Sequence, residues 1–193
     1  YIAKDACGKI VVEYEVLPPI VNPVQAAAPD AIQIRDDKAG QVGNKVFDWE
    51  IGDKARTDKA FADADVVSKI ELHYPRTHPS PMETCGSLAD YDRATGKLTV
   101  YMTSQAPHIV RAAVAMVAEL PEQNIRIVTP DIGGGFGNKV PIYPGYVIAI
   151  LASILTEKPV KWIEDKTGNL TSTGFGRDVY LKGEMALRKD GKI

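Results

Sequence analysis

Residues 130–140 read Pro-Asp-Ile-Gly-Gly-Gly-Phe-Gly-Asn-Lys-Val and carry the densest signal in the sequence. Residues 133–137 contain four glycines, which cost backbone entropy unless the chain needs positive φ or a very close approach to another group. A predicted strand, residues 125–129, precedes the loop. A predicted helix, residues 143–156, follows it and is apolar on most sides, so we expect it to be buried on most sides. Consecutive N–H groups in such a turn form a concave site for anions or oxo groups. The pattern indicates a ligand-binding loop, with a tight structural turn as the alternative.

The loop matches neither of the two familiar phosphate-binding motifs. A P-loop needs Gly-Lys-Ser/Thr at its end, but here Asn138 separates Gly137 from Lys139. The dinucleotide fingerprint G-x-G-x-x-G fails as well, because its last glycine position falls on Asn138 or on Val140. The sequence therefore argues against both nucleotide sites.

The segments around the loop predict an α+β fold of mixed sheets with helices. Residues 93–96 read Arg-Ala-Thr-Gly and predict a hairpin turn, whereas residues 22–57 lack a sustained period and predict a long irregular connection. Residues 10–16 and 66–74 alternate with period two, which predicts strands with one half-buried face. The other predicted strands cover residues 88–92, 97–103, 159–163 and 179–187, and the other helices cover residues 57–64, with Thr57 as N-cap, and 106–120.

Composition excludes several classes of protein. The 193 residues are 45% hydrophobic and 25% charged, which is typical of a globular protein. A net charge of −2 offers no basic face for nucleic acid. The longest strongly apolar stretch, residues 147–155, falls short of the ~20 residues that a membrane span requires. The two cysteines cannot form a disulfide framework, so a reducing, cytoplasmic location is expected.

Gln105 lies where a predicted strand ends and a predicted helix begins, within Thr-Ser-Gln-Ala-Pro-His at residues 103–108. Its side chain could cap the helix or point its amide at a ligand, and the residue types alone favour capping. The three histidines have no metal-ligand spacing, and we expect ordinary surface or core positions for them.

Three segments in this order resemble the molybdenum-binding large subunits of the xanthine oxidase family of molybdenum hydroxylases. They are His-Pro-Ser-Pro-Met-Glu-Thr-Cys-Gly at residues 78–86, the segment 103–108 and the loop segment 130–140. The likeness continues through Pro-Gly-Tyr at 144–146, Pro-Val-Lys-Trp at 159–162 and Arg-Asp at 177–178.

The resemblance implies roles for particular residues. The glutamine that matches Gln105 donates a hydrogen bond to an oxo ligand of molybdenum in this family. The loop that matches Gly134, Gly135, Phe136 and Gly137 brings N–H groups and an aromatic ring to the metal. We therefore expect Gln105 and Phe136 to be catalytic and to lie close together, and Gln105 with residues 134–137 to bind the cofactor. We also expect positive φ at Gly135 or Gly137, and no residue of this chain as a metal ligand.

The resemblance also implies a domain organisation. Residues 1–20 resemble the end of an α/β hammerhead domain, 21–64 a linker, and 65–193 the N-terminal part of a molybdenum cofactor-binding domain. The chain starts without Met and stops at a hairpin turn, so we expect a fragment that is inactive alone. The family's catalytic glutamate and copper-holding cysteine loop match nothing here, and neither Cys7 nor Cys85 corresponds to that loop.

The activity implied is oxidation of carbon monoxide with water to carbon dioxide, with electrons passed to an iron–sulfur small subunit and an FAD medium subunit. The implied cofactors are molybdenum-molybdopterin in its cytosine dinucleotide form and copper, in a dimer of heterotrimers. Val140 favours this branch, because family members that act on purines carry an acidic residue there. The alternatives are a hydroxylase of aldehydes or N-heterocycles that works without copper, and a non-catalytic anion-binding module.

Overall fold

The computed structural model describes residues 1–35, 37, 40 and 42–193. The helices are α1 (Ile2–Cys7), α2 (Pro23–Ala26), α3 (Lys54–Ala62), α4 (Pro107–Ala118), α5 (Pro144–Thr156) and α6 (Lys166–Ser172). The strands are β1 (Val66–Tyr74), β2 (Gly86–Asp92), β3 (Lys97–Met102), β4 (Ile125–Val128), β5 (Val160–Ile163) and β6 (Val179–Leu187). This mixture confirms the predicted fold class.

The chain forms two compact units. One consists of Tyr1–Ser68 with Glu184–Ile193, and the other of Lys69–Gly183. Among the described residues, every helix is too short or too polar to cross a membrane.

The second unit contains a four-stranded sheet in the order β4-β3-β2-β5. β2 is antiparallel to both β3 and β5, whereas β4 runs parallel to β3 after the crossover through α4. The turn between β2 and β3 is closed by Gly96, whose φ is 66° and whose N–H donates to the carbonyl of Asp92 at 2.8 Å. The predicted hairpin is confirmed.

Helices α4 and α5 pack against this sheet and against each other, and the core lies between them. Its largest fully buried apolar side chains are Leu98, Val100, Val110, Tyr146 and Ile150. Each buried aliphatic side chain of this size contributes roughly 1.5–3 kcal/mol. Burial of this core fixes the end of β3 and the start of α4, and Gln105 lies between them.

Gly145 allows α5 to approach β5. A Cβ built on Gly145 would lie 2.1 Å from the Trp162 ring, so no other residue fits without displacing the indole. Trp162 also packs edge-to-face on Tyr146, with the ring centroids 5.2 Å apart. Packing between α5 and β5 therefore accounts for the glycine and the tyrosine in the segment 144–146 and for the tryptophan in the segment 159–162.

β1 and β6 pair in a separate two-stranded sheet. Every residue of β1 is exposed, including Ile70 and Tyr74 at 55% each. The predicted strands are confirmed, but the period-two pattern does not correspond to a half-buried face within this chain.

The predicted strand at residues 10–16 is wrong. Its apolar side chains are exposed, with Val12 at 53%, Tyr14 at 80% and Val16 at 88%. In the part of the chain that the structure describes, no strand pairs with this segment, so its backbone has no hydrogen-bonded ladder. An alternating pattern forms a strand only where a partner is present.

Helix α3 begins earlier than predicted. Its N-cap is Asp53, whose carboxylate accepts the N–H of Arg56 at 3.0 Å. Thr57, the predicted cap, lies inside the helix and donates its hydroxyl to the Asp53 carbonyl at 2.8 Å. The prediction was wrong because it gave the cap to Thr57 although Asp53, an equally good cap, precedes it.

Helix α5 follows the prediction in its bounds but not in its burial. Tyr146, Ala149 and Ile150 are buried, whereas Ile148 is 65% and Leu155 83% exposed. The helix therefore buries one face within this chain, and the prediction of burial on most sides is wrong. The short helices α1, α2 and α6 were not predicted, because four to seven residues carry no clear period.

The predicted division into residues 1–20, 21–64 and 65–193 stays a prediction. Within the predicted linker, residues 36, 38, 39 and 41 lie outside the described part of the chain. In the described remainder, the Asn44 amide donates to the carbonyls of Ala26 and Ile32, each at 2.9 Å, and its oxygen accepts the N–H of Ile34 at 2.7 Å.

Candidate functional site

Gln105 follows β3, and its side chain turns towards the glycine loop. Its Oε1 accepts the N–H of Gly137 at 3.0 Å and that of Lys139 at 3.2 Å. Its own N–H donates to the Lys139 carbonyl at 2.9 Å. The N–H of Ala106, at the start of α4, donates to the hydroxyl of Ser104 at 3.0 Å and not to the Gln105 side chain. Gln105 therefore does not cap α4, and the two predicted segments meet in space.

The amide of Gln105 has a defined orientation. Because two N–H groups point at one end of it, that end is the oxygen, and Nε2 is the other end. Gln105 is exposed, and within the described residues Nε2 has no hydrogen-bond acceptor. The chain thus presents an amide donor whose orientation the loop fixes.

The loop forms a tight turn in which the Gly135 carbonyl accepts the N–H of Asn138 at 2.8 Å. Both central residues are left-handed, with φ 52° at Phe136 and 91° at Gly137, as in a type I′ turn. For an aromatic residue this conformation costs on the order of 1–3 kcal/mol. Phe136 is 74% exposed, so its side chain gains little from packing within this chain that could offset the strain. Such strain at an exposed ring is typical of functional positions.

Gly135 differs from the expectation of positive φ at this position. The left-handed glycines of the loop are Gly134 and Gly137, each with φ 91°. Gly135 is required for another reason: a Cβ there would lie 2.4 Å from both Cδ and Oε1 of Gln105. The close approach predicted from the glycine density is thus an approach to Gln105.

Three consecutive N–H groups of the loop, those of Gly134, Gly135 and Phe136, have no acceptor among the residues that the structure describes. The neighbouring N–H groups are occupied, that of Gly133 by Glu83 Oε2 at 2.9 Å and that of Gly137 by Gln105. Adjacent free N–H donors agree with the predicted concave site for an anion or oxo group.

An ion pair between the buried Lys139 and the partly exposed Glu83 joins the two ends of the loop. Glu83 Oε2 accepts a hydrogen bond from Lys139 Nζ at 2.6 Å as well as the one from Gly133. The Lys139 side chain is 0% exposed and that of Glu83 is 41% exposed. The ammonium of Lys139, and secondarily the Gly133 N–H, hold the pKa of Glu83 below its usual value against the effect of desolvation. Sequence reasoning missed this pair, because no local pattern marks a lysine that will be fully buried.

Asn138 anchors the loop from behind and was also missed. It is 1% exposed, and its Nδ2 donates to the Thr173 hydroxyl at 2.7 Å. Its side-chain oxygen accepts from Asn169 Nδ2 at 3.1 Å, and its carbonyl accepts the Tyr143 hydroxyl at 2.6 Å. The turn is therefore attached to α6 and to the start of α5.

Cys85 lies in the same buried region. Burial raises the pKa of its thiol to about 11. Its N–H donates to the Glu164 carboxylate at 3.1 Å, which also accepts from Asn169 at 2.7 Å. A thiol in this environment stays protonated, so Cys85 is structural.

Comparison with known families assigns the chain. Residues 37–193 match the family model described as the molybdopterin cofactor-binding domain. The chain belongs to this family. The match includes Gln105, the glycine loop and the Glu83–Lys139 pair.

The chain is also similar to individual proteins. The carbon monoxide dehydrogenase large chain of Hydrogenophaga pseudoflava is 51% identical over all of this chain, which covers 25% of that protein. A crystal structure of a Cu,Mo-CO dehydrogenase in the carbon monoxide reduced state matches with 48% identity and a TM-score of 0.90, over 98% of this chain and 25% of that one. The nicotine 6-hydroxylase large subunit of Paenarthrobacter nicotinovorans is 32% identical over 99% of this chain, which covers 23% of that subunit. The chain thus spans about a quarter of the length of these relatives.

The residues present fit a molybdopterin cofactor. Gln105 Nε2 and the N–H groups of residues 134–136 are donors, which suit the negatively charged oxygen ligands of such a metal. Within the described residues, no cluster of three or more His, Cys, Asp or Glu could hold a metal ion. The groups of the described site that suit such a cofactor are thus hydrogen-bond donors.

Proposed function

We propose that this chain is part of the molybdenum-binding large subunit of an enzyme that oxidises carbon monoxide and water to carbon dioxide, two protons and two electrons. The observation that carries a catalytic role is the amide of Gln105, whose oxygen is held by two loop N–H groups so that Nε2 is free to donate. The identity of 51% with a carbon monoxide dehydrogenase, against 32% with a nicotine hydroxylase, supports this substrate.

The molybdenum cofactor, when bound, supplies the two-electron redox chemistry of this reaction. Gln105 Nε2 would donate to an oxygen ligand of the metal. The N–H groups of Gly134, Gly135 and Phe136 would stabilise negative charge on the same ligand set. Fixed donors of this kind need no reorganisation during the reaction. Such preorganisation is the usual source of electrostatic catalysis. The exposed Phe136 ring would limit water on the side of the loop where it stands.

Val140 supports a small apolar substrate. It follows the loop directly, and its side chain is 41% exposed. In purine-acting members of the resembled family an acidic residue stands here, which can hold a polar group of the substrate. Carbon monoxide offers no such group, so an apolar residue suits it.

The proposal includes the wider assembly. The cofactor would be the cytosine dinucleotide form of molybdopterin, with copper beside molybdenum in a cysteine loop elsewhere in the large subunit. Neither cysteine of this chain corresponds to that loop: Cys85 is buried in the core and Cys7 lies exposed on α1. Electrons would pass to an iron–sulfur subunit and an FAD subunit in a dimer of heterotrimers. Two free cysteines suit a cytoplasmic location.

The test replaces Gln105 by alanine in the assembled holoenzyme that contains this chain. Carbon monoxide oxidation is measured per bound molybdenum, and the rate should fall by roughly 100-fold or more, because one oriented donor is lost. Gln123→Ala removes an exposed glutamine from the turn before β4 and is the matched control. A Gln105→Ala rate within two-fold of the control would contradict the proposal. Turnover of an N-heterocycle but not of carbon monoxide would favour the hydroxylase alternative.

A further inference from the structure

We propose that Lys139 and Glu83 are positioning residues that fix Gln105 and the glycine loop relative to one another. This inference rests on the proposed function of Gln105. It gives a role to the segment 78–86, which carries part of the resemblance and contributes Glu83 to the site.

Lys139 binds Gln105 through its main chain and Glu83 through its side chain. Its carbonyl accepts the Gln105 N–H at 2.9 Å, and its N–H donates to Gln105 Oε1 at 3.2 Å. Its Nζ reaches Glu83 at 2.6 Å from a side chain that is 0% exposed. The backbone and the amide of Gln105 therefore both depend on where Lys139 lies.

Glu83 holds the opposite end of the loop. Its N–H donates to the Gly133 carbonyl at 3.1 Å, and its carboxylate accepts the Gly133 N–H at 2.9 Å. A Cβ on Gly133 would lie 2.7 Å from the Glu83 Cβ, so the two backbones are in close approach. One carboxylate oxygen thus fixes the distance between residues 133 and 139, and the turn with the free N–H groups spans that interval.

The full burial of the Lys139 side chain favours a role in geometry over a role in stability. Lysine is almost never fully buried unless it is paired. Replacing a buried ion pair by apolar residues of similar size is often neutral for stability, so such a pair is weak evidence of a stabilising role. A pair with defined donors, however, fixes one arrangement of the three segments that meet at Lys139.

The experiment uses the assembled holoenzyme with Glu83→Gln, Lys139→Met and the double variant. Three readouts are taken: molybdenum content, carbon monoxide oxidation per bound molybdenum, and the electron paramagnetic resonance spectrum of the partly reduced metal. Ile150→Val is the control for lost stability, because Ile150 is a buried core residue of α5. Arg93→Met is the control for a lost charge. Arg93 lies in the β2–β3 turn, and the substitution breaks its exposed ion pair with Glu157.

Glu83→Gln should lower the rate per molybdenum by about ten-fold or more and alter the spectrum, since a shift of about 1 Å in a catalytic group costs roughly 100-fold. Neither control variant should change the rate per molybdenum or the spectrum. In the Lys139→Met background, Glu83→Gln should have little further effect, because the two residues act as a unit.

Unchanged rates per molybdenum and unchanged spectra in the Glu83 and Lys139 variants would overturn the inference, even if both variants unfold at lower temperature. Effects of the two substitutions that simply add would also overturn it. Should Lys139→Met fail to assemble, Glu83→Gln decides alone, because Glu83 is partly exposed. Gln105→Ala separates the two proposals: if it lowers the rate while the Glu83 variant does not, only the positioning role fails. If Gln105→Ala has no effect, the proposed function fails first.

Discussion

Replacing Gly135 by alanine should displace Gln105 without straining the backbone. The new Cβ would lie 2.4 Å from Cδ and Oε1 of Gln105, whereas ordinary contacts begin near 3.4 Å. The amide must therefore move by about 1 Å, which would break its contacts with the N–H groups of Gly137 and Lys139. Overpacking of this kind costs typically about 1–3 kcal/mol of stability.

The catalytic effect should persist after the rate is normalised to folded, molybdenum-loaded enzyme, so it is separate from the effect on stability. A displacement of about 1 Å corresponds to roughly 100-fold in rate. Gly137→Ala should act differently, because a Cβ there meets nothing within 4 Å and the cost arises only from its φ of 91°. Since the Gly137 N–H can still donate to Gln105, we expect a loss per molybdenum about ten-fold smaller than that of Gly135→Ala.

The assay is carbon monoxide oxidation by the holoenzyme, normalised to bound molybdenum, together with thermal unfolding. Gly96→Ala is the control for backbone strain and is matched to Gly137→Ala: its φ of 66° imposes similar strain, and a Cβ there would meet only Asn124, at 3.8 Å. Equal normalised rates in Gly135→Ala and Gly96→Ala would refute the reasoning and make the glycine loop an ordinary turn.

Three further outcomes follow from the packing and the charges. Gly145→Ala should lower the melting temperature by about 3–10 °C, because its Cβ would lie 2.1 Å from the Trp162 ring; an unchanged melting temperature would contradict that contact. Asp53→Ala should cost about 1 kcal/mol of α3 stability in urea unfolding, and Thr57→Ala clearly less, if Asp53 is the cap; the reverse order would restore Thr57. Because the pKa of Glu83 is lowered in the folded state, its stabilising contribution is present above the unfolded pKa of about 4.3 and is lost as the pH falls through the folded pKa. Melting curves of Glu83→Gln between about pH 3 and 6 should therefore depend less on acid than those of the parent, and identical acid dependence would exclude that contribution.

Local patterns predicted the elements that build the site. The hairpin at residues 93–96 and the helices α4 and α5 form because turn residues and helical spacing act over a few positions. The meeting of Gln105 with the glycine loop came from the resemblance, since nothing local relates residues that lie 32 and 34 positions apart.

Non-local contacts explain what sequence reasoning missed. Lys139 and Glu83 are 56 positions apart, and no rule of spacing pairs them. Gly135 is a glycine because of Gln105, not because of its own φ, and only the folded arrangement reveals that. The segment 10–16 has a strand pattern but forms no strand, since pairing depends on a second segment that the pattern does not specify.

A crystal structure of the molybdenum-loaded holoenzyme tests the role of Gln105 most directly. The distance from Gln105 Nε2 to the nearest oxygen ligand of molybdenum should lie within about 2.7–3.2 Å, with Oε1 still bound to the loop N–H groups. An amide oxygen turned towards the metal, or molybdenum bound far from Gln105 and residues 134–136, would contradict the proposed site.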